Sequence, residues 1–198
     1  MHKTKRALID TVLQLMDGDP TVSVTMHEVL QTSSLTSGAL YYHFSDFPDL
    51  IDHALVEIFT AHTREGIAGL AEIITKARTP DEAKSTLSPL IETRHQSGEV
   101  RGRASLAWIA AQATLRPKLK EKLGPAQSEM TLNITELISA GQAKGLVRKE
   151  LDPLVTAVFI QSYALGRIVD DLAGNQMDPK TWTQFIKQMV AESILCQD

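Results

Sequence analysis

The sequence lacks the features that would place it in an oxidising or membrane environment. Its 198 residues include one cysteine, Cys196, so no internal disulfide can form. Its apolar runs are far shorter than the ~20 residues of a membrane-spanning helix. Asp10, Gln14 and Asp17 interrupt the N-terminal helical pattern, which excludes the apolar core of a signal peptide. We therefore expect a cytoplasmic protein with no membrane partner.

Positive charge is absent from a long part of the chain. No Lys or Arg stands between Ala7 and Thr63, so residues 1–63 carry three basic and eight acidic side chains, a net charge of −5. Residues 64–198 carry 17 basic and 16 acidic side chains, a net charge of +1. Because neutralised phosphates supply much of DNA affinity, the acidic region predicts weak or weakly salt-dependent binding to DNA.

Helical signals occur along the whole chain, and signals for strands are almost absent. Apolar residues recur at helical spacing, and Ser, Thr or Asp stands before many of the repeats as an N-cap. The pattern predicts an all-α fold of about nine helices, with no repeat. Their expected ranges are 4–16, 26–32, 36–44, 46 to beyond 59 with a bend or end at Gly66 or Gly69, 79–96, 104–114, a long helix to 144 that breaks near 124–125, 153–173 and 179–195.

The chain has two expected domains. A small N-terminal domain, residues 1–60, would hold three helices around a helix-turn-helix, and residues 61–198 would form a larger helical bundle. The last two helices of that bundle are rich in apolar residues on their faces. We expect these two faces to pair with their counterparts in a second subunit, which makes the protein a homodimer.

The region Thr25–Leu50, TMHEVLQTSSLTSGALYYHFSDFPDL, carries the most specific motif of the sequence. Thr25 and Glu28 form a capping box before a short helix, and a second short helix follows after about four residues. This is the geometry of a helix-turn-helix. Small residues open the second helix, which lets a backbone approach bases and phosphates in a major groove. Leu40 and Phe44, four residues apart, are expected to face the core.

At this motif the sequence resembles the TetR (AcrR-type) family of bacterial transcriptional regulators. Gly38–Phe44, GALYYHF, matches the family's recognition-helix signature almost letter for letter, and Leu50 matches the leucine of the following helix. The resemblance is specific for residues 5–60 and architectural beyond them. It implies a double-stranded DNA operator as partner, contacted through Thr25, Thr36, Ser37, Gly38, Ala39, Tyr41, Tyr42 and His43, with Lys5 in an N-terminal arm.

Three positions depart from the family pattern. Leu30 stands where a small Ala is usual in the first motif helix, and Ser34 stands where the turn usually has Gly. A Ser held at positive φ costs about 1 kcal/mol relative to Gly. Phe47 stands where members commonly carry a Lys that binds a phosphate, so one phosphate contact is lost.

Two features of the motif have alternative interpretations. The run Tyr41–Phe44 taken alone equally fits a buried aromatic stripe. Lys3, Lys5 and Arg6 fit either a short arm on the DNA or a solvated, frayed terminus.

Catalytic and metal-binding signatures are absent from the sequence. None of the six histidines lies in a metal-ligand motif, and His53 and Glu57 form a pair that lacks a further ligand. Asp170 and Asp171 diverge on a helix and cannot act together as acid and base. We therefore expect no enzyme activity, no catalytic residues, no metal and no cofactor.

The C-terminal bundle has candidate residues for two further functions. Several of its residues could line a cavity for a small-molecule effector, although plain core packing explains the apolar ones equally well: Trp108, Gln112, Met130, Ile134, Gln161, Tyr163 and Arg167. The dimer interface is expected to include Val155, Phe159, Gly166, Val169, Trp182, Phe185 and Met189.

Together these patterns predict a ligand-responsive, DNA-binding transcriptional regulator. It would be a repressor that a small apolar or amphipathic molecule releases from a palindromic operator. The alternative is a helical co-regulator whose degenerate helix-turn-helix binds a protein partner instead of DNA.

Overall fold

A computed structural model describes residues 2–94 and 100–197, and in these ranges all elements are helical apart from one antiparallel bridge between Val147 and Leu195. The all-α prediction is confirmed. Within the described residues no helix combines the length and hydropathy needed to cross a membrane. The helices are α1 Lys3–Met16, α2 Met26–Ser33, α3 Ser37–His43, α4 Phe47–Lys76, α5 Pro80–Arg94, α6 Val100–Leu115, α7 Pro117–Ala143, α8 Pro153–Gly166, the four-residue α9 Ile168–Asp171, and α10 Pro179–Ser193.

Helix starts follow the local capping signals of the sequence. The Thr25 hydroxyl accepts the Glu28 N–H while the Glu28 carboxylate accepts the Thr25 N–H, which completes the expected capping box. Asp152 and Asp178 cap α8 and α10 in the same way, each followed by Pro in the first turn. Each cap satisfies backbone donors that a helix leaves open at its N-terminus.

Of the bend or end expected at Gly66 or Gly69, the end does not occur, because α4 continues to Lys76. A Cβ on Gly69 would lie 2.8 Å from Cδ1 of Leu90 in α5. The glycine therefore allows a close approach between the two helices instead of breaking α4. Close packing offsets the cost of about 1 kcal/mol that Gly carries inside a helix.

Two other expected boundaries also differ from the structure. Helix α7 continues through Gly124 and Pro125, where a break was expected. The predicted helix 153–173 is divided after Gly166, since the N–H groups of Asp170 and Asp171 both bond to the Arg167 carbonyl in a tightened turn. The expected end of α5 near Gln96 lies outside the described residues.

The chain divides into two compact units. The first is Met1–His62 with Ser105–Gln127, and the second is Thr63–Ala104 with Ser128–Asp198. The first unit thus includes residues 105–127, which the sequence analysis assigned to the second domain. The boundary near residue 60 stays a prediction.

The first unit buries large apolar residues from each of its helices. Those from α1 to α4 are completely or almost completely buried, as helical spacing requires of one face. They are Leu8, Ile9, Val12, Val29, Leu40, Phe44, Leu50, Ala54 and Leu55, joined from residues 105–127 by the buried Ile109, Leu119 and Leu123. Each large side chain buried here contributes about 1.5–3 kcal/mol to stability.

The second unit has its own apolar cluster. It is built from α4, α5, α7 and α8 together with the segment after α7 and the end of the chain, where the Val147–Leu195 bridge joins two of its members. The buried members are Ile73, Ile74, Ala77, Ala83, Ile134, Ile138, Leu146, Val147, Ala157 and Leu195.

Gly141 of α7 provides a test of this second core. A Cβ there would lie 2.8 Å from Cγ2 of Val147 and 3.0 Å from Cδ1 of Ile74. Gly141→Ala gains about 1 kcal/mol of helix propensity, but overpacking costs about 1–3 kcal/mol. We expect a net loss of about 1 kcal/mol in the free energy of unfolding, measured by urea denaturation. Ala140→Gly, on the exposed side, isolates the propensity effect, and a stability gain in Gly141→Ala would contradict the close packing.

Candidate DNA-binding site

The helix-turn-helix is formed by α2, the turn at Ser34 and α3. Ser34 adopts the left-handed conformation with φ 55°, as expected for the residue in the glycine position. Thr36 caps α3, its hydroxyl accepting the Ala39 N–H at 3.3 Å. These two local interactions set the direction in which α3 leaves the turn.

Helix α3 has a buried side and an exposed side. Leu40 and Phe44 are buried, which confirms the expected core side of the helix. Tyr41 and Tyr42 are 55% and 81% exposed, so the aromatic run is not a buried stripe. The Tyr41 hydroxyl lies 3.8 Å from Sδ of Met26, whereas Tyr42 extends outward. The predicted positions Ser37 and Gly38 at the start of α3 are exposed as well, and so are Thr25 and Thr36.

The N-terminus packs beside α3. The rings of His2 and His43 lie 4.7 Å apart, and Lys5 places its ammonium 5.2 Å from the centre of the Phe44 ring. Lys5 Nζ is also 3.5 Å from Nε2 of His53. Partial burial lowers the pKa of His43, and the charges of His2 and Lys5 lower it further. These effects favour the neutral form of His43, whereas a phosphate nearby would favour the protonated form.

Arg6 is held by carboxylates. Its guanidinium bonds to Asp10 within α1 and to Oε1 of Glu57 in α4 at 2.7 Å. Residues 3–16 are helical, so Lys3, Lys5 and Arg6 belong to a helix and not to an extended arm in this structure.

Three carboxylates at the beginning of α4 face basic side chains of residues 116–122. Lys118 Nζ lies 3.1 Å from Oδ2 of Asp46, and Lys122 Nζ lies 2.8 Å from Oδ1 of Asp49. Arg116 pairs with Asp52, whose side chain is almost fully buried. We call these six residues the acid–base cluster. It directly follows α3, because Asp46 accepts the Asp49 N–H at 2.7 Å and Asp49 accepts the Ser45 N–H at 2.8 Å.

The acid–base cluster changes the charge balance that the sequence suggested. Residues 105–127 bring four basic side chains and one acidic one into the first unit, against three basic and eight acidic in residues 1–62. The net charge of the unit is −2 and not −5. The acidic excess at the start of α4 is neutralised within the unit, which weakens the expectation that it repels DNA.

The predicted effector residues are distributed over both units. Trp108 and Gln112 are half-buried in the first unit, while Met130 and Ile134 of α7 are buried in the second. The structure brings Gln161 next to this part of α7, since its Nε2 lies 3.1 Å from Oγ1 of Thr131. Tyr163 is half-buried in α8, and Arg167 is buried between α8 and α9. A groove of about 500 Å³ between α5 and α10 is lined by none of them.

The predicted dimer residues lie largely on exposed surface. Most of the large apolar residues among them are about half exposed or more, whereas Trp182 is half-buried. We call the exposed members and their apolar neighbours the apolar face: Leu154, Val155, Val158, Phe159, Val169, Leu172, Phe185 and Met189.

Two groups of ionic residues were missed by the sequence analysis. The basic residues at 116–122 lie close together in the sequence, but the sequence does not show which carboxylates they pair with. Arg103 and Asp171 form a buried ion pair, and nothing in the sequence links them. Among the described residues, no group of three or more His, Cys, Asp or Glu side chains could hold a metal ion.

Comparison with solved structures identifies the fold. Over 96% of this chain and 94% of the other, the structure matches a candidate TetR-family regulator from Mesorhizobium loti with 14% identity and a TM-score of 0.66. A candidate TetR-family regulator from Rhodococcus matches with 20% identity over 96% and 97% of the chains, with a TM-score of 0.64. A candidate regulator from Saccharomonospora viridis, in complex with choline, matches with 17% identity over 98% of both chains and a TM-score of 0.62.

No protein-family model and no curated protein matches the sequence. The structural likenesses show that the chain has the fold of TetR-family transcriptional regulators. This confirms the fold that the motif at residues 25–50 predicts.

The acid–base cluster leads to a prediction about stability. Arg116→Met leaves the Asp52 carboxylate buried without its guanidinium, and we expect a loss of about 3 kcal/mol in unfolding free energy at pH 7, near the lower limit for a broken buried ion pair. Burial already raises the pKa of Asp52, with Arg116 opposing. In the variant this pKa rises further, so the folded state takes up a proton first as the pH falls, and the loss should shrink between pH 7 and pH 5.

Lys118→Met is the matched control for this experiment. Lys118 is largely exposed, so its ion pair with Asp46 should contribute less than about 1 kcal/mol. Urea denaturation at both pH values measures both variants. Equal, small losses for the two variants, or a loss in Arg116→Met that does not depend on pH, would contradict the buried pairing of Asp52.

Proposed function

We propose that this protein is a homodimeric, ligand-responsive transcriptional repressor that binds a near-palindromic DNA operator through α3. The observation that carries the proposal is the exposed side of α3: Tyr41 and Tyr42 point out of a helix-turn-helix whose opposite side is buried. A recognition helix needs this division, because one side must pack on the domain while the other contacts base edges and phosphates.

The composition of the exposed side supports contact with DNA. Ser37 and Gly38 leave little side-chain bulk at the start of α3, so the helix can approach the floor of a groove about 12 Å wide. Tyr42 supplies a hydroxyl for a phosphate oxygen and a ring for a thymine methyl. The ring of His43 makes an edge contact with Tyr42, and a phosphate near His43 would favour its protonated form.

The apolar face supports dimerisation. Eight large apolar side chains between residues 154 and 189 are exposed in one protomer, more than a monomer usually shows in one region. In a dimer with a twofold axis through this face, both subunits contribute the same patch, so two copies of each side chain are buried. In such a dimer the two α3 helices would meet successive major grooves about 34–36 Å apart.

The fold supports control by a small molecule. A solved neighbour with this fold is in complex with choline, so the architecture accommodates a small organic molecule in that protein. For this chain we propose an apolar or amphipathic effector in the bundle, with Met130, Gln161 and Arg167 among the residues of the second unit that contact it. A ligand that prefers the non-binding conformation by 10²-fold shifts the equilibrium by about 2.7 kcal/mol.

Tyr42→Ala tests DNA binding. Operator fragments are first selected from a random DNA library by the wild-type protein, and affinity is then measured by fluorescence anisotropy. We expect Tyr42→Ala to weaken binding by about 1–3 kcal/mol, the usual cost of one lost anchor. The exposed Leu132→Ala, in the second unit, should leave the affinity unchanged.

The outcome also separates DNA binding from the co-regulator alternative. If the library yields no preferred fragment, or if Tyr42→Ala binds the selected operator as tightly as the wild type, α3 does not read DNA. Circular dichroism of the variant checks that its helices are intact.

Phe185→Glu tests the dimer. Phe185 is 52% exposed in one protomer, so Glu is tolerated in a monomer, but a symmetric interface would bury two unpaired charges. We expect light scattering to report a monomer with unchanged helicity. Leu115→Glu, at an exposed position of the first unit outside the apolar face, should remain dimeric. A dimeric Phe185→Glu would place the interface elsewhere.

A further inference from the structure

The second unit contains a buried ionic group that neither the core nor DNA binding uses. Arg103 of α6 bonds side-on to Asp171 of α9, with Nε 2.8 Å from Oδ2 and Nη2 2.7 Å from Oδ1. Both side chains are about nine-tenths buried. A bidentate pair of this kind fixes the guanidinium in one plane, because both of its bonds must be satisfied together.

A second buried guanidinium acts on the same carboxylate. Arg167 is 8% exposed and stands one helical turn before Asp171, whose N–H donates to the Arg167 carbonyl at 3.2 Å. The hydrogen bonds from Arg103 lower the pKa of Asp171, and the positive charges of Arg103 and Arg167 lower it further. Two cations therefore converge on one anion in a region withdrawn from water.

One end of the Arg103 guanidinium has no acceptor. Asp171 occupies the edge formed by Nε and Nη2, whereas the buried Nη1 has no hydrogen-bond partner among the described residues. Leaving charged N–H donors buried and unsatisfied is costly, and more so than for a neutral group. The free edge, formed by Nη1 and Nη2, has the spacing that a second carboxylate matches with two parallel hydrogen bonds.

We propose that Arg103 is the anchor of an effector site for a small organic carboxylate. The proposal rests on the proposed function, and it specifies the chemical class of the effector. A carboxylate placed on the Nη1–Nη2 edge of Arg103 is attracted by that guanidinium, and the charge of Arg167 offsets part of the repulsion from Asp171. A neutral acceptor can bond to Nη1 but gains no attraction between opposite charges, and a cation is repelled, so the cluster favours an anion.

The geometry also selects among anions. The two oxygens of a planar carboxylate accept two parallel hydrogen bonds from the edge of a guanidinium. A spherical halide cannot form this bidentate arrangement. The cluster already contains Asp171, so a dianion would bring excess negative charge into a buried region. A monocarboxylate with an apolar body fits both constraints.

Thermal unfolding of the full chain tests the proposal with defined probes. Sodium benzoate and sodium hexanoate are compared with benzamide and hexanamide at pH 7.5, at constant chloride and ionic strength. At ten times the dissociation constant, a carboxylate should raise the melting temperature by about 3–6 °C. The amides, which have the same shape without the charge, should leave it unchanged.

Two variants identify the residues responsible. Arg103→Met combined with Asp171→Leu removes the cationic edge together with its buried partner, so no carboxylate is left unpaired, and we expect the shift by benzoate and hexanoate to disappear. Arg103→Lys keeps the charge but loses the planar edge, and it should weaken carboxylate binding at least tenfold in calorimetry. Arg148→Met, at an exposed arginine of the same unit, is the control and should behave as the wild type.

Every outcome of this experiment bears on the carboxylate site. Absence of a shift by both carboxylates, an equal shift by the amides, a shift reproduced by chloride alone, or a shift that survives in the double variant would each overturn it. Carboxylate binding is measured without DNA, and operator selection is carried out without carboxylate. A failed carboxylate site is therefore distinguishable from a failed DNA-binding function.

Discussion

The pairing of Asp46, Asp49 and Asp52 with Lys118, Lys122 and Arg116 is the interaction on which the first unit depends. The three carboxylates stand where α3 has just ended and α4 begins, so their ion pairs fix the junction that follows α3. Asp52 is buried, and a buried carboxylate is tolerated only when it is paired. Residues 116–122 are therefore a structural part of the helix-turn-helix unit, although more than 60 residues of chain separate the partners.

This pairing reduces the negative charge that the sequence assigns to the helix-turn-helix unit. In the sequence, residues 1–63 have a net charge of −5, which would repel the phosphates of DNA. In the folded unit, three cations pair with the three carboxylates at the start of α4. Arg6 bridges Asp10 and Glu57 and offsets one of their two charges, and Glu28 bonds to the Thr25 N–H in the capping box. The basic side chains in these ion pairs are bound to carboxylates and cannot also neutralise phosphates. Under the proposed function, contacts of α3 with the bases therefore contribute a larger share of the affinity for DNA.

The features that sequence predicted well are the local ones. The capping box at Thr25, the caps at Thr36 and Asp178, and the left-handed Ser34 each involve residues within a few positions of one another, so the sequence contains both partners side by side. The burial of Leu40 and Phe44 follows from helical spacing alone. The errors arose where packing outweighs local propensity, as at Gly69, whose missing side chain serves a close approach to Leu90 and not a helix end.

The ionic pairs could not be predicted, because their partners are 64 residues apart for Asp52 and Arg116 and 68 apart for Arg103 and Asp171. The positions of these pairs nevertheless have a common feature. Arg103 lies in α6, a helix of 16 residues, and Arg116 directly follows its last residue. A helix resists bending and stretching because each turn is hydrogen-bonded to the next. Each of the two buried pairs therefore holds a residue near one end of this helix within its own unit, because removal of either partner would leave a buried charge uncompensated.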